Sequence, residues 1–102
     1  MRVSELVGVD QALNDLFSIN GIYPNPFQGK VYFDLNFPIA GTVDITVTDV
    51  LGRDTHRIVR EDVVSGDHRF EWTQGDQLAE GTYIVRIEFE GAVQYKKLVH
   101  LR

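Results

Sequence analysis

The sequence predicts an all-β domain, a seven-stranded antiparallel β-sandwich. Three observations predict it. Apolar residues recur at every second position in one stretch after another, the pattern of strands with one buried and one wet face. Turn residues interrupt that alternation roughly every ten residues. From Ile19 onward no stretch shows the 3.6-residue period of a helix. The 102 residues, 43% hydrophobic and 25% charged, suffice for one core and not two.

Residues 1–18 are weakly patterned and read as a linker. Leu6, Val7, Leu13, Leu16 and Phe17 support a short helix that Gly8 interrupts. The segment carries Glu5, Asp10 and Asp15 and lacks the continuous apolar run of a secretory signal. Met1 is then either a true start or an addition to an excised piece.

Next comes Tyr23-Pro24-Asn25-Pro26-Phe27. Proline fixes φ near −65° and pushes the residue before it toward extended geometry. This stretch is therefore extended or turned. Asn25 favours an Asx-type turn. Tyr23 and Phe27 are expected as apolar anchors on either side of a stiff corner.

The alternation then runs through Val31, Phe33, Leu35 and Phe37, and after the turn at Pro38–Gly41 through Val43, Ile45 and Val47. Leu51-Gly52-Arg53-Asp54 is a turn, and Thr55 to Arg60 a third strand of this run. Ser65-Gly66-Asp67 turns again, before His68, Phe70 and Trp72. A polar loop spans Gln74 to Gly81. Tyr83, Val85, Ile87 and Phe89 follow, then a turn at Gly91-Ala92. Val93, Tyr95, Val99 and Leu101 are expected on the apolar face of the last strand. Lys97 shares their parity, so either its head snorkels out or a bulge shifts the register. Ile84 and Leu98 break the alternation, which predicts strands covered on both faces.

The net charge is −5 with no basic cluster, which argues against nucleic acid and anionic membranes as partners. No stretch is long and apolar enough for direct membrane insertion. There is no cysteine, hence no disulfide framework and no thiol chemistry. Ser65-Gly66-Asp67-His68 holds three triad residue types, but adjacent turn residues cannot form that relay, and Gly66 at positive φ is expected instead. His56, His68 and His100 lack metal-ligand spacing. Asp44, Asp49, Asp54, Asp67 and Asp76 sit at strand ends and turns without a calcium-loop pattern. No catalytic residue, cofactor or metal is assigned. Trp72 reads either as an exposed sugar platform or, from its parity with Phe70, as a core aromatic.

The ordered motifs carry a resemblance. Tyr23-Pro24-Asn25-Pro26-Phe27 precedes an alternating strand. A second strand ends in Asp49-Val50-Leu51-Gly52-Arg53. Trp72, then Leu78-Ala79-Glu80-Gly81-Thr82-Tyr83, and finally Lys96-Lys97 follow in order. Over about Phe17 to Arg102 this resembles the type A C-terminal sorting domain of type IX secretion substrates. Val31-Tyr32-Phe33 stands where the family more often has Ile-x-Phe, and Thr48 where an aromatic often precedes the aspartate.

The resemblance implies an immunoglobulin-like sandwich over 19–102 and no enzymatic activity. It implies that 1–18 is the linker from a covalently preceding cargo domain and that Met1 is an addition. The cargo would be exported through the periplasm to the cell surface or medium. Its partners would be the shuttle protein, the outer-membrane translocon and the sortase, which cuts in the linker. The recognition motifs are Tyr23, Pro24, Asn25, Pro26, Phe27, Asp49, Gly52, Arg53, Gly81, Tyr83, Lys96 and Lys97. Lys96 and Lys97 read equally as an address for an acidic partner and as edge lysines that discourage aggregation. Removing Lys96 to Arg102 is then expected to abolish export. A second reading is a structural immunoglobulin-like accessory module of an extracellular enzyme or adhesin. A third is a carbohydrate-binding sandwich built on Tyr32, Trp72 and Tyr95.

Overall fold

A computed structural model describes residues 16–73 and 75–101. The short helix expected within 1–18 lies almost wholly outside them. The elements are β1 (Ser18–Tyr23), β2 (Val31–Phe37), β3 (Gly41–Asp49), β4 (Asp54–Val63), β5 (Gly66–Trp72), β6 (Gly81–Phe89) and β7 (Ala92–His100), with a 3₁₀ turn at Gly75–Gln77. They form two sheets, ordered β1-β2-β5 and β4-β3-β6-β7, and every pairing between strands is antiparallel. This is the immunoglobulin-like sandwich, with its hairpins and inter-sheet crossings.

The alternating residues form the core. Val31, Phe33, Leu35 and Phe37 of β2 face Val43, Ile45, Val47, Val85, Ile87 and Phe89 across the sandwich, all essentially inaccessible. Each such side chain contributes about 1.5–3 kcal/mol by leaving water. Aromatic rings close both ends of this core. At one end Phe37 lies 4.5 Å from Phe89 and 6.1 Å from Phe17, between ring centroids. At the other, Phe27 lies 4.8 Å from His100 and 5.9 Å from Trp72. Phe17, within the stretch read as linker, is only 2% exposed. Trp72 is a core aromatic, at 5% exposure. Gly66 adopts φ 121° at the start of β5.

The last strand differs from its expected facing. Ala92, Leu98 and His100 are buried, while Tyr95, Lys97 and Leu101 are exposed and Val93 and Val99 half-buried. The cause is the β6–β7 register, which runs unbroken from Phe89↔Ala92 to Gly81↔His100. Directly opposed residues share a face. Phe89, Ile87, Val85 and Tyr83 point inward, so Ala92, Gln94, Lys96, Leu98 and His100 must as well. Lys97 therefore faces outward by ordinary alternation, with no bulge. Ile84 and Leu98 are likewise reconciled: Leu98 is on the buried face, and Ile84 is half-buried on the outer one.

Candidate functional site

The proline corner docks on the edge of β7. Both of its X-Pro bonds, Tyr23-Pro24 and Asn25-Pro26, are cis. Asn25 forms no Asx turn. Its side-chain amide instead bonds the far end of the chain: Nδ2 donates to the Lys97 carbonyl at 3.1 Å, and Oδ1 accepts from the Val99 N–H at 3.0 Å. Two residues on, the backbone takes over. The Phe27 N–H donates to the Val99 carbonyl at 2.8 Å, and the Leu101 N–H donates to the Phe27 carbonyl at 2.9 Å. The Asn25 amide thus imitates a peptide unit and, with Phe27, covers the C-terminal half of an otherwise open edge. Pro24 and Pro26 stay exposed and line a groove of about 670 Å³ with Tyr32 and Leu101.

Of the two expected anchors, only Phe27 is one, with no exposed surface. Tyr23 is 38% exposed and its hydroxyl donates to Asp34 Oδ2 at 2.5 Å. Arg69 holds the same pair, through Nε to Asp34 Oδ1 at 2.8 Å and Nη2 to the Tyr23 oxygen at 2.6 Å. Its guanidinium also lies over the Tyr32 ring, 5.3 Å from the centroid. A tyrosine with a polar end does not need to be buried; here β1, β2 and β5 bring it beside two charges. The Arg69 hydrogen bond, reinforced by Tyr23, holds the Asp34 carboxyl below its ordinary range. The bond to Asp34 raises the Tyr23 phenol.

Asp49, Gly52 and Arg53 form one self-contained loop between β3 and β4. Asp49 Oδ1 accepts from the Leu51 N–H at 2.9 Å and the Arg53 N–H at 3.0 Å, and Oδ2 pairs with Arg53 Nε at 2.7 Å. The Arg53 backbone bond is the main cause of a lowered Asp49 carboxyl. Gly52 sits at φ 85°, which explains the residue type. The loop holds Val50 and Leu51 out in solvent, at 68% and 75% exposure.

Gly81 and Tyr83 belong to a second buttress. Gly81 starts β6 at φ 149°. Tyr83 is buried, and its hydroxyl donates to the Ala79 carbonyl at 2.7 Å, the tyrosine corner of such sandwiches. His100, whose part the sequence did not disclose, joins it: Nδ1 lies 3.2 Å from the same carbonyl and Nε2 2.7 Å from that of Gln28. These partners stand 21 and 72 residues away, beyond any local signal.

The motifs of the corner, the Ala79–Tyr83 turn and the end of β7 therefore converge at one end of the molecule. The model of the secretion system C-terminal sorting domain matches residues 21–100. The chain belongs to this family, the type IX sorting domains. No curated protein matches it. Sorting domains of this family are secretion signals, not catalysts.

In the sorting domain the terminal lysines have opposite parity, Lys96 inward and Lys97 outward, yet both are exposed and both line a cleft with Ile19, Ile22 and Asn25. Neither has a carboxylate within ion-pair distance among the described residues, whereas Arg53, Arg69 and Arg86 all do. The three histidines are dispersed. His56 packs on Trp72, His68 on Phe37, and His100 sits in the tyrosine corner. The Tyr32, Trp72 and Tyr95 platform does not form: Trp72 is buried, and Tyr32 and Tyr95 lie in different sheets.

Proposed function

We propose that the domain directs a covalently preceding cargo through the type IX outer-membrane translocon, for surface attachment or release, and that Lys96 and Lys97 are its contact points. A shuttle protein meets the folded sandwich, and a sortase acts on the linker ahead of Phe17. The observation that carries this reading is the pair of ammonium groups, without an ion-pair partner among the described residues, beside the corner that clamps their strand. The other charged and aromatic signature residues are engaged within the fold: Asp49 and Arg53 by their loop, Tyr83 by its corner, Phe27 by the core and Tyr23 by Asp34 and Arg69. Two cations on an acidic chain steer an acidic partner.

The test is export of a reporter carrying the 102-residue chain, in a host with type IX secretion. A Lys96→Glu/Lys97→Glu variant is expected to remain periplasmic. Its thermal midpoint should stay near that of the parent, since exposed substitutions change stability by about 0.5 kcal/mol or less. Normal export of this variant would refute the role of the lysines. Retention of the unaltered chain would refute the sorting reading and favour an accessory module.

A further inference from the structure

The corner closes only half of the β7 edge. Lys97, Val99 and Leu101 turn main-chain groups toward Asn25 and Phe27, so the odd-numbered residues of β7 point away from β6. Alternation along an antiparallel strand, with no register shift, extends this to Val93 and Tyr95. Their N–H and C=O groups, together with the Lys97 N–H, have no main-chain partner among the described residues. Among the described residues the edge is thus half paired and half open within one strand. Tyr95 stands there 62% exposed.

Resting on the sorting reading, we propose that the partner binds by adding an acidic strand to this open half, at Val93 and Tyr95. The corner already shows that the same edge accepts an extended segment, because Asn25 and Phe27 occupy its other half. An added strand would continue that pairing toward the β6–β7 turn. Charge selects the strand. Lys96 and Lys97 project from opposite faces of β7, so carboxylates at consecutive positions of an added strand reach one lysine each. Main-chain bonds supply the affinity and the lysines the selection. Glutamates or aspartates on both faces are what ordinary core strands lack, which separates this partner from aggregation with another edge.

The test removes a single N–H. Tyr95→Pro deletes a donor that β6 does not use, at an edge position where proline is tolerated. The chain should fold, with export reduced about tenfold or more, the factor that one lost hydrogen bond of about 1.4 kcal/mol carries. Val93→Pro is the second variant and should behave alike. Amide exchange in the unaltered chain gives an independent reading. Val93 and Tyr95 should exchange fast and Val99, bonded to Asn25, slowly. Protection of Val93 and Tyr95 equal to that of Val99 would overturn the inference, since the edge would already be filled. So would normal export of both folded proline variants, or equal loss in Tyr95→Ala, which retains the N–H. If the lysine variant is retained while the proline variants export, the sorting reading stands and strand addition falls.

Discussion

Asn25 is a surface residue whose two hydrogen bonds span most of the chain. Each such bond contributes about 0.5–1.5 kcal/mol net. Asn25→Ala is therefore expected to cost about 1–3 kcal/mol in denaturant unfolding. Asn25→Asp should cost a similar amount despite its equal size, because it turns the Nδ2 donor into an oxygen facing the Lys97 carbonyl. An unchanged midpoint in the aspartate variant would show that the donor contributes nothing. Asp34 makes a pH prediction. Its folded pKa lies below the unfolded one, so its contribution is present above the ordinary aspartate range and lost as pH falls through the folded value. Tyr23 has the opposite sign: its pKa is raised, so its contribution holds below the ordinary tyrosine value near 10 and is lost as pH rises through the folded one. Asp34→Asn should flatten both limbs of the stability curve, the acid one because the carboxyl is gone and the alkaline one because the carboxylate that raises Tyr23 goes with it. Tyr23→Phe, in contrast, should remove the alkaline limb and keep the part of the acid limb that Arg69 supports. Tyr23 is exposed and Asp34 reaches solvent, so salt should weaken both effects.

At the scale of elements, the hairpin loop after β3 is the clearest case of a motif with a structural task. Gly52→Ala places a side chain at φ 85° and should cost about 1–2 kcal/mol, read from thermal unfolding, with no clash involved because the site is open. Four strands, β2, β3, β5 and β6, were legible from alternation because one parity in each was plainly polar. By contrast, β1 was not read as a strand, and β4 mixes apolar and polar residues on both parities. Asp34 and Asn36 in β2, or Arg86 and Glu88 in β6, leave no doubt about the wet face. In β7 both parities carry apolar residues, Val93 and Val99 on one and Ala92 and Leu98 on the other. There the choice belongs to the β6–β7 register. The candidate site was legible as motifs and not as a surface. The sequence exposes Pro24, Asn25 and Lys97 as unusual, but their meeting depends on a contact across 72 residues. Tyr23 was misread as apolar for the same reason, since Arg69 reaches it only through the sheet.

At the scale of the whole molecule, the two ends of the described chain are fastened to each other. The Gln94 side chain donates to the Phe17 carbonyl at 2.8 Å, Asn25 holds Lys97 and Val99, and Phe27 holds Val99 and Leu101. The N-terminal end of the described chain is thus packed along the strand that displays the lysines. This bears on deletion of Lys96 to Arg102, the change expected from sequence to abolish export. That deletion also removes Leu98, fully buried, and His100, 1% exposed. It strips the partner from half of β6 and leaves Tyr83 and Phe27 open to water. Loss of a buried leucine side chain alone costs about 2–5 kcal/mol, a large part of the 5–15 kcal/mol that such a domain has. A chain ending at Tyr95 is therefore expected to lose its cooperative thermal transition, and its failure to export would report unfolding and not a missing address. The Lys96→Glu/Lys97→Glu chain should keep the transition and still fail. A cooperative transition in the shortened chain at the parent midpoint would mean that β7 is dispensable to the fold, and the fastening of its edge by the corner would then have no role in stability.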